Sequence, residues 1–367
     1  MKIGLILNPW AGLGGQAGLK GSDDPALRHQ ALQSGFVPTA AARAVQALKQ
    51  LAPEAERFTL LAAPGPMGAD AAREAGLCPV EIGQISVETT AQDTIRLARQ
   101  LVESGVELLL FAGGDGTARD IVQAVGPDFP CIGIPCGVKM HSGVYAITPV
   151  QAGTLTREVA QGRPFTLERR EVMDIDEELF TQGRVSARLY GCLSVPSGGR
   201  MQHTKESSRS TAQERAALCE ALWHEMDPGR CWFIGPGSTT ATLLESRGLP
   251  FTLLGVDVGQ NGKVILSDAD EHQLWQLCQS CPCGIVVTSI GGQGHLFGRG
   301  NQQLSPRVLR AVGREHILPA VPPSKLAALQ GAPLLTDTGD PELDQELSGF
   351  WRRPQSPGQA ALYRVTH

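Results

Sequence analysis

Residues Val106–Val122 read VELLLFAGGDGTARDIV: an apolar run, then Gly113-Gly114-Asp115-Gly116-Thr117, then a second segment of spaced apolar residues. The run Val106–Ala112 is too short for a helix, and its Leu, Val and Phe suit a strand buried on both faces. From Ala118 to Val125 the spacing of Ile121, Val122 and Val125 predicts a helix packed back on the sheet. Strand, glycine turn and helix in that order leave backbone N–H groups over in the first helical turn, at the positive end of its dipole. An anion such as a phosphate fits there. The three glycines are expected to supply positive φ and to let a ligand approach the backbone, with Asp115 at the tip of the turn. A carboxylate beside a phosphate cradle can take the proton of an attacking hydroxyl or help to hold Mg²⁺. A plain tight turn would explain two glycines, but it has no need of an Asp between glycines followed by Thr.

The chain of 367 residues is long enough for two domains with substantial cores. A net charge of -5, a pI near 5.9 and scattered Lys and Arg argue against nucleic acid as a partner. No apolar run reaches the length of a membrane span, and MKIGLILNPW meets Pro9 before a signal-peptide core could form. The expectation is a cytoplasmic protein that binds no membrane. Nine dispersed cysteines, an odd number, read as free thiols.

Strand and helix signals alternate over the first ~145 residues, which predicts a parallel sheet covered on both faces. Lys2–Leu7 is a first strand opening into Asn8-Pro9-Trp10-Ala11-Gly12, either a nucleotide-covering loop or a plain turn. Arg28–Leu51 ends in a helix stopped by Pro53. Phe58–Ala63 is a second strand, and Ala69–Ala75 a short helix capped by Gly76. Thr90 and Asp93 have capping-box spacing before a helix that buries Ile95, Ala98, Leu101 and Val102 and ends at Gly105. Pro130–Pro135 is the next strand, opening into Cys136-Gly137-Val138-Lys139-Met140-His141-Ser142 beside the glycine turn. Lys139 could neutralise phosphate or be an ordinary surface lysine. His141 reads more readily as a structural histidine than as a general base, since the sequence supplies no orienting group for it.

From about Phe165 the pattern changes. Phe165–Ile175 and Arg184–Val195 predict a hairpin around Gln182-Gly183. Ser197–Thr211 reads as a mobile loop, and Ala212–Glu225 as an amphipathic helix. Trp232–Ile234 runs into Gly235-Pro236-Gly237-Ser238-Thr239, with helix again at Leu243–Arg247. Phe251–Asp257 is expected to be a short strand. Ile285–Ile290 leads into Gly291-Gly292-Gln293-Gly294. Glycine loops after strands in a second domain suggest a ligand gripped between domains. Leu334–Asp337 is followed by Thr338-Gly339-Asp340 and a helix starting at Pro341. Asp337 and Asp340 suit metal or ribose as well as a turn and an N-cap. The Pro-, Ser- and Gly-rich stretch Arg352–Gln359 predicts a loop before a last strand, Ala361–Val365. Cys278, Cys281 and Cys283 invite a zinc reading with His272 or Cys231 as fourth ligand, but paired knuckles are missing and free thiols are the expectation.

The strings NPWAG, APGPMG, TTAQDT, GGDGTARD, GVKMHS, GPGSTTATLLE, GGQGHLFGRGNQ and DTGDPELD, in this order, resemble the NAD kinase superfamily over nearly the whole chain. Within it the chain is similar to the ATP-NAD kinase-like branch that includes acetoin-catabolism protein X. The GGDGT signature is shared with diacylglycerol and sphingosine-type lipid kinases. The resemblance implies a Rossmann-like α/β domain over 1–148 with a parallel sheet, and a β-rich substrate and assembly domain over 149–367 whose last segment can return to the first. It implies ATP with Mg²⁺ held through its phosphates, NAD as the second ligand, and a homo-oligomer. Asn8, Gly113, Gly114, Gly116, Thr117 and Lys139 would then contact ATP phosphates, and Asp115 would act on the acceptor hydroxyl. Gly237, Ser238, Thr239, Gly292 and Gln293 would line the dinucleotide side. Asp120 stands where lipid kinases place a Glu. The Asn-acid pair with which ordinary NAD kinases hold the dinucleotide is missing, because Asn8, Asn261 and Asn301 precede no acid. The expectation is therefore a kinase acting on the 2′-hydroxyl of NAD with ATP or polyphosphate. A lipid or metabolite kinase and a nucleotide-binding regulator of a catabolic operon without turnover are the alternatives.

Overall fold

The computed structural model describes residues 1–17, 25–137, 140–175, 187–197, 201, 212–290 and 293–367. They form two compact units, one of Met1–Leu13 with Val37–Thr204 and one of Gly14–Phe36 with Lys205–His367.

The first unit is built on five parallel strands: β1 (Lys2–Leu7), β2 (Thr59–Ala62), β3 (Val80–Glu81), β4 (Leu108–Gly113) and β5 (Cys131–Pro135), in the order β3-β2-β1-β4-β5. All of β4 is buried, as its unbroken apolar run requires. Leu7 pairs with Ala112 and Gly113 with Pro135, so β1, β4 and β5 end side by side. Strand order reverses between β1 and β4, and in a doubly wound sheet the crevice beyond the carboxyl ends at such a point is where ligands bind. The helix Ala91–Glu103 begins with the Thr90/Asp93 capping box and buries Ile95, Ala98 and Leu101 as the sequence reading expected, while Val102 is only half-buried. A long antiparallel pair, β6 (Leu167–Ile175) with β7 (Ala187–Pro196), completes this unit. Its connecting turn and most of the Ser197–Thr211 loop lie outside the described residues.

The second unit has two sheets. In one, β8 (Cys231–Ile234), β9 (Asp257–Gln260), β10 (Lys263–Leu266), β11 (Cys283–Val287) and β13 (Ile317–Pro319) are ordered β10-β9-β8-β11-β13. Strands β8, β11 and β13 are parallel, and β9 and β10 form an antiparallel hairpin on the edge. In the other, β12 (His295–Phe297), β14 (Leu334–Thr336), β16 (Gln359–Thr366) and β15 (Gly349–Ser356) follow in that order.

Two expectations fail here. Phe251–Val256 is not a strand: Asp257 draws in the Thr252 backbone N–H and hydroxyl and the Asp268 N–H, curling the preceding residues into a turn before β9 begins. The expected loop Arg352–Gln359 is largely the hairpin β15–β16, with an irregular register between Pro354 and Ser356 where proline cannot donate to the ladder.

Candidate functional site

The glycine turn is shorter than its sequence suggests. The helix starts at Asp115 and runs to Val125, so Asp115 occupies the first helical position and Gly114 is its N-cap at φ -117. None of Gly113, Gly114 and Gly116 has a positive φ. Two of them are required by packing instead. A Cβ on Gly113 would lie 2.3 Å from Thr117 Oγ1, and one on Gly114 would lie 3.1 Å from Gly137 Cα. The loops after β4 and β5 therefore meet backbone to backbone. Gly116 is different, because a Cβ there would meet nothing nearer than Asp174 Oδ2 at 4.0 Å. Close approach is open at that position alone of the three.

Asp115 is not a bare acid at a tip. It is 5% exposed, and its Oδ2 accepts the backbone N–H of His141 at 2.6 Å while its Oδ1 accepts that of Ser142 at 3.1 Å. His141 Nδ1 stands 3.2 Å from Oδ2. The orienting group that the sequence did not supply for His141 is thus Asp115 itself. A carboxylate has about four acceptor sites, and these three N–H groups fix its plane while leaving capacity on Oδ1. Ser142 is locked in turn: its hydroxyl donates to Met173 O and accepts from Met173 N, both at 2.9 Å. The Tyr145 hydroxyl donates to Gly114 O and holds the N-cap.

Asn8, directly after β1, joins the same cluster. Its side chain donates to Thr117 Oγ1 at 3.2 Å and accepts the Trp10 N–H at 3.1 Å. Asn8, Gly113, Gly114, Asp115, Gly116 and Thr117 therefore lie together at the switch point of the sheet. Lys139 lies outside the described residues. Asp120 is buried further along the helix, with Arg119 Nε 3.9 Å away, and that arginine also reaches Asp174 at 3.1 Å. Asp174 is a site neighbour that sequence reasoning missed; it sits on a hairpin strand far along the chain and carries no motif.

In the second unit a glycine loop again follows a strand. After β8 come Gly235, Pro236 and Gly237, then a helix from Ser238 to Glu245. Gly237 has φ +125, in the region that favours glycine, and a Cβ there would press on Thr288 Cγ2 at 2.9 Å. Ser238 and Thr239 occupy the first helical turn, where backbone N–H groups point outward. Lys325 approaches the same place: its Nζ donates to Thr288 Oγ1 and to Ser289 O, both at 2.9 Å. Sequence reading passed it over because it stands in a short Pro-Pro-Ser-Lys helix start with no glycine signal. The helix N-terminus and the ammonium group add to one positive corner at the carboxyl ends of β8, β11 and β13. Gln293 is buried in the loop before β12, and Gly292 lies outside the described residues.

The two carboxylates weighed for metal or ribose have structural work. Asp337 pairs with Arg299 at 3.1 Å in the interior, and Asp340 N-caps the helix Pro341–Leu347 while bonding Arg310. Among the described residues no set of three or more His, Cys, Asp or Glu converges as a metal site. No described helix is long and apolar enough to cross a membrane.

Helix N-termini stand after strands in both units, one of them beside an oriented carboxylate, an arrangement compatible with phosphoryl transfer. Two family models bear directly on this: the ATP-NAD kinase N-terminal domain matches residues 3–163, and the ATP-NAD kinase C-terminal domain matches residues 235–365. Together they take in well over half of the chain, and the protein belongs to the ATP-NAD kinase family. Neither curated proteins nor solved structures gave a match.

Proposed function

We propose that this protein phosphorylates NAD to NADP, passing the γ-phosphoryl group of ATP, or a terminal phosphoryl of polyphosphate, to the 2′-hydroxyl of the adenosine ribose. The observation that carries the reading is the Asp115 carboxylate, buried at the first position of a helix with its plane fixed by His141 and Ser142. Phosphoryl transfer asks little covalent chemistry of a protein; its rate comes from positioning and from stabilising charge. Asp115 accepts the hydrogen of the attacking hydroxyl on the remaining capacity of Oδ1. The backbone N–H groups of the first helical turn, at Gly116 and Thr117, face the phosphate oxygens, and Asn8 holds Thr117 in place. Mg²⁺ would arrive with the nucleotide and be held through its phosphates, where it would neutralise the charge that develops on the transferring group.

Within the second unit, the Gly237-Ser238-Thr239 turn with Lys325 suits an anionic phosphate group of a nucleotide. A positive corner of this kind offers an alternative to the missing Asn-acid pair, because it grips phosphate rather than ribose. We place the enzyme in the cytoplasm, as a homo-oligomer of the branch that includes acetoin-catabolism protein X. The test is calorimetric titration with NAD beside product assay with MgATP. Saturable binding with formation of NADP supports the reading. Binding without product would instead favour a nucleotide-binding regulator, and product from another acceptor would reassign the substrate.

A further inference from the structure

Cys231 and Cys283 are register partners at the first positions of the neighbouring parallel strands β8 and β11. The end of the helix Glu271–Ser280 brings Cys278 to the same corner, and Cys281 caps that helix. Of the two residues that the sequence offered as a fourth member, Cys231 and His272, it is Cys231 that joins the other three thiols. Cys281 Sγ lies 2.8 Å from Cys231 Sγ and 3.9 Å from Cys283 Sγ. Two sulfur atoms not bonded to each other normally keep a wider separation than the first of these, and two thiolates on one tetrahedral zinc with ~2.3 Å bonds would sit nearly 4 Å apart. His272, the other residue that could complete a zinc site, is instead stacked on the Phe36 ring at 4.4 Å.

We propose that Cys231 and Cys281 are a dithiol that closes to a reversible disulfide when hydrogen peroxide reaches them. Cys281 is half-buried and Cys231 buried, so the oxidant meets Cys281 first. The Cys281 sulfur attacks one peroxide oxygen; an S–O bond forms, the O–O bond breaks, and the departing oxygen leaves as water with the thiol proton. The Cys231 sulfur then attacks the Cys281 sulfur, forming the S–S bond and expelling the hydroxyl as a second water with the Cys231 proton. Two thiols are oxidised and one peroxide is reduced. Burial and the adjacent thiols push Cys231 up to about 12, which keeps it protonated and inert until its neighbour is oxidised. Cys283 hydrogen-bonds Cys278 and holds that thiol below its ordinary range, making Cys278 the competing target.

The test is peptide mapping of the full-length protein after hydrogen peroxide treatment and alkylation of the remaining thiols. The expected result is a Cys231–Cys281 linked peptide pair, a loss of two of the nine alkylatable thiols and full recovery with dithiothreitol. Cys278→Ser should keep the linkage, and Cys231→Ser should abolish it. The mapping of the unaltered protein decides the matter even if a variant folds poorly. Oxidation confined to Cys278, linkage through Cys283, nine unreacted thiols, or stoichiometric zinc in the protein as purified would each overturn the proposal.

Discussion

His141 Nδ1 lies 3.2 Å from Asp115 Oδ2, and the same residue's backbone N–H donates to that oxygen at 2.6 Å. One residue of the β5 loop thus grips the carboxylate of the β4 helix twice, once through the chain and once through the ring. Removing the ring leaves the backbone grip intact. In the proposed reaction His141 is accordingly a positioning residue: His141→Ala should lower kcat by about tenfold to a hundredfold, the scale of a small misplacement of a reacting group, with little change in the KM for NAD. His141→Asn, whose Nδ2 can stand near the place of Nδ1, should recover part of the loss. An unchanged kcat in His141→Ala would remove the ring from the account.

The meeting of Gly114 and Gly137 makes a stability prediction that is independent of function. A Cβ on Gly137 would come within 2.7 Å of Gly114 Cα, where the obstacle is backbone and cannot swing aside. Gly137→Ala should destabilise the first unit by about 1–3 kcal/mol, the usual cost of overpacking, measured by denaturant unfolding. Gly126→Ala is a poor control because its φ is +75; Ala124→Gly on the same helix tests helix propensity separately.

These two predictions also show what the sequence could and could not disclose. The parallel sheet, the Thr90 capping box and the switch-point loops follow from local patterns, and all three are found. The start of the Asp115 helix was hidden because glycines that serve close packing look the same in sequence as glycines that serve a turn. The His141–Asp115 pair spans 26 positions and the Cys231–Cys281 pair 50, and no periodicity links either. The hairpin β15–β16 was hidden for another reason: Pro354 and Pro357 suggest a loop, yet Pro354 stands beside an irregularity in the ladder.

Glu271 supplies a pH dependence with a definite sign. Burial alone would raise its pKa, but hydrogen bonds from Arg307 and Ser305 outweigh it and hold the carboxyl below the ordinary value of 4.5. A depressed folded pKa means that the unfolded chain takes up the proton first as pH falls. The stabilisation is therefore complete above 4.5 and is lost as pH drops through the lower folded value. Glu271→Gln should flatten the stability–pH curve of the second unit in that acid window and leave its slope at neutral pH unchanged, as read by urea unfolding at a series of pH values.

Lys325 is anchored by Thr288 and Ser289 beside the first turn of the Ser238–Glu245 helix. If it steadies a dinucleotide pyrophosphate, Lys325→Met should weaken NAD binding by about tenfold or more, the scale of one hydrogen bond to a charged group, and the effect should shrink at high salt. Calorimetric titration reads the affinity, and an unchanged melting temperature would show that the loop itself is intact. Equal affinity in the variant would assign Lys325 to loop structure alone.

The most direct measurement of the central claim is a time course of NADP formation from MgATP and NAD, read by an NADP-specific dehydrogenase, with Asp115→Asn alongside. The amide keeps the size of the carboxylate but loses its charge and half of its acceptor oxygens. The account predicts turnover by the unaltered protein and loss of most of it in the variant, with the fold retained. Wild-type rates in Asp115→Asn would contradict the assignment of the carboxylate to the attacking hydroxyl.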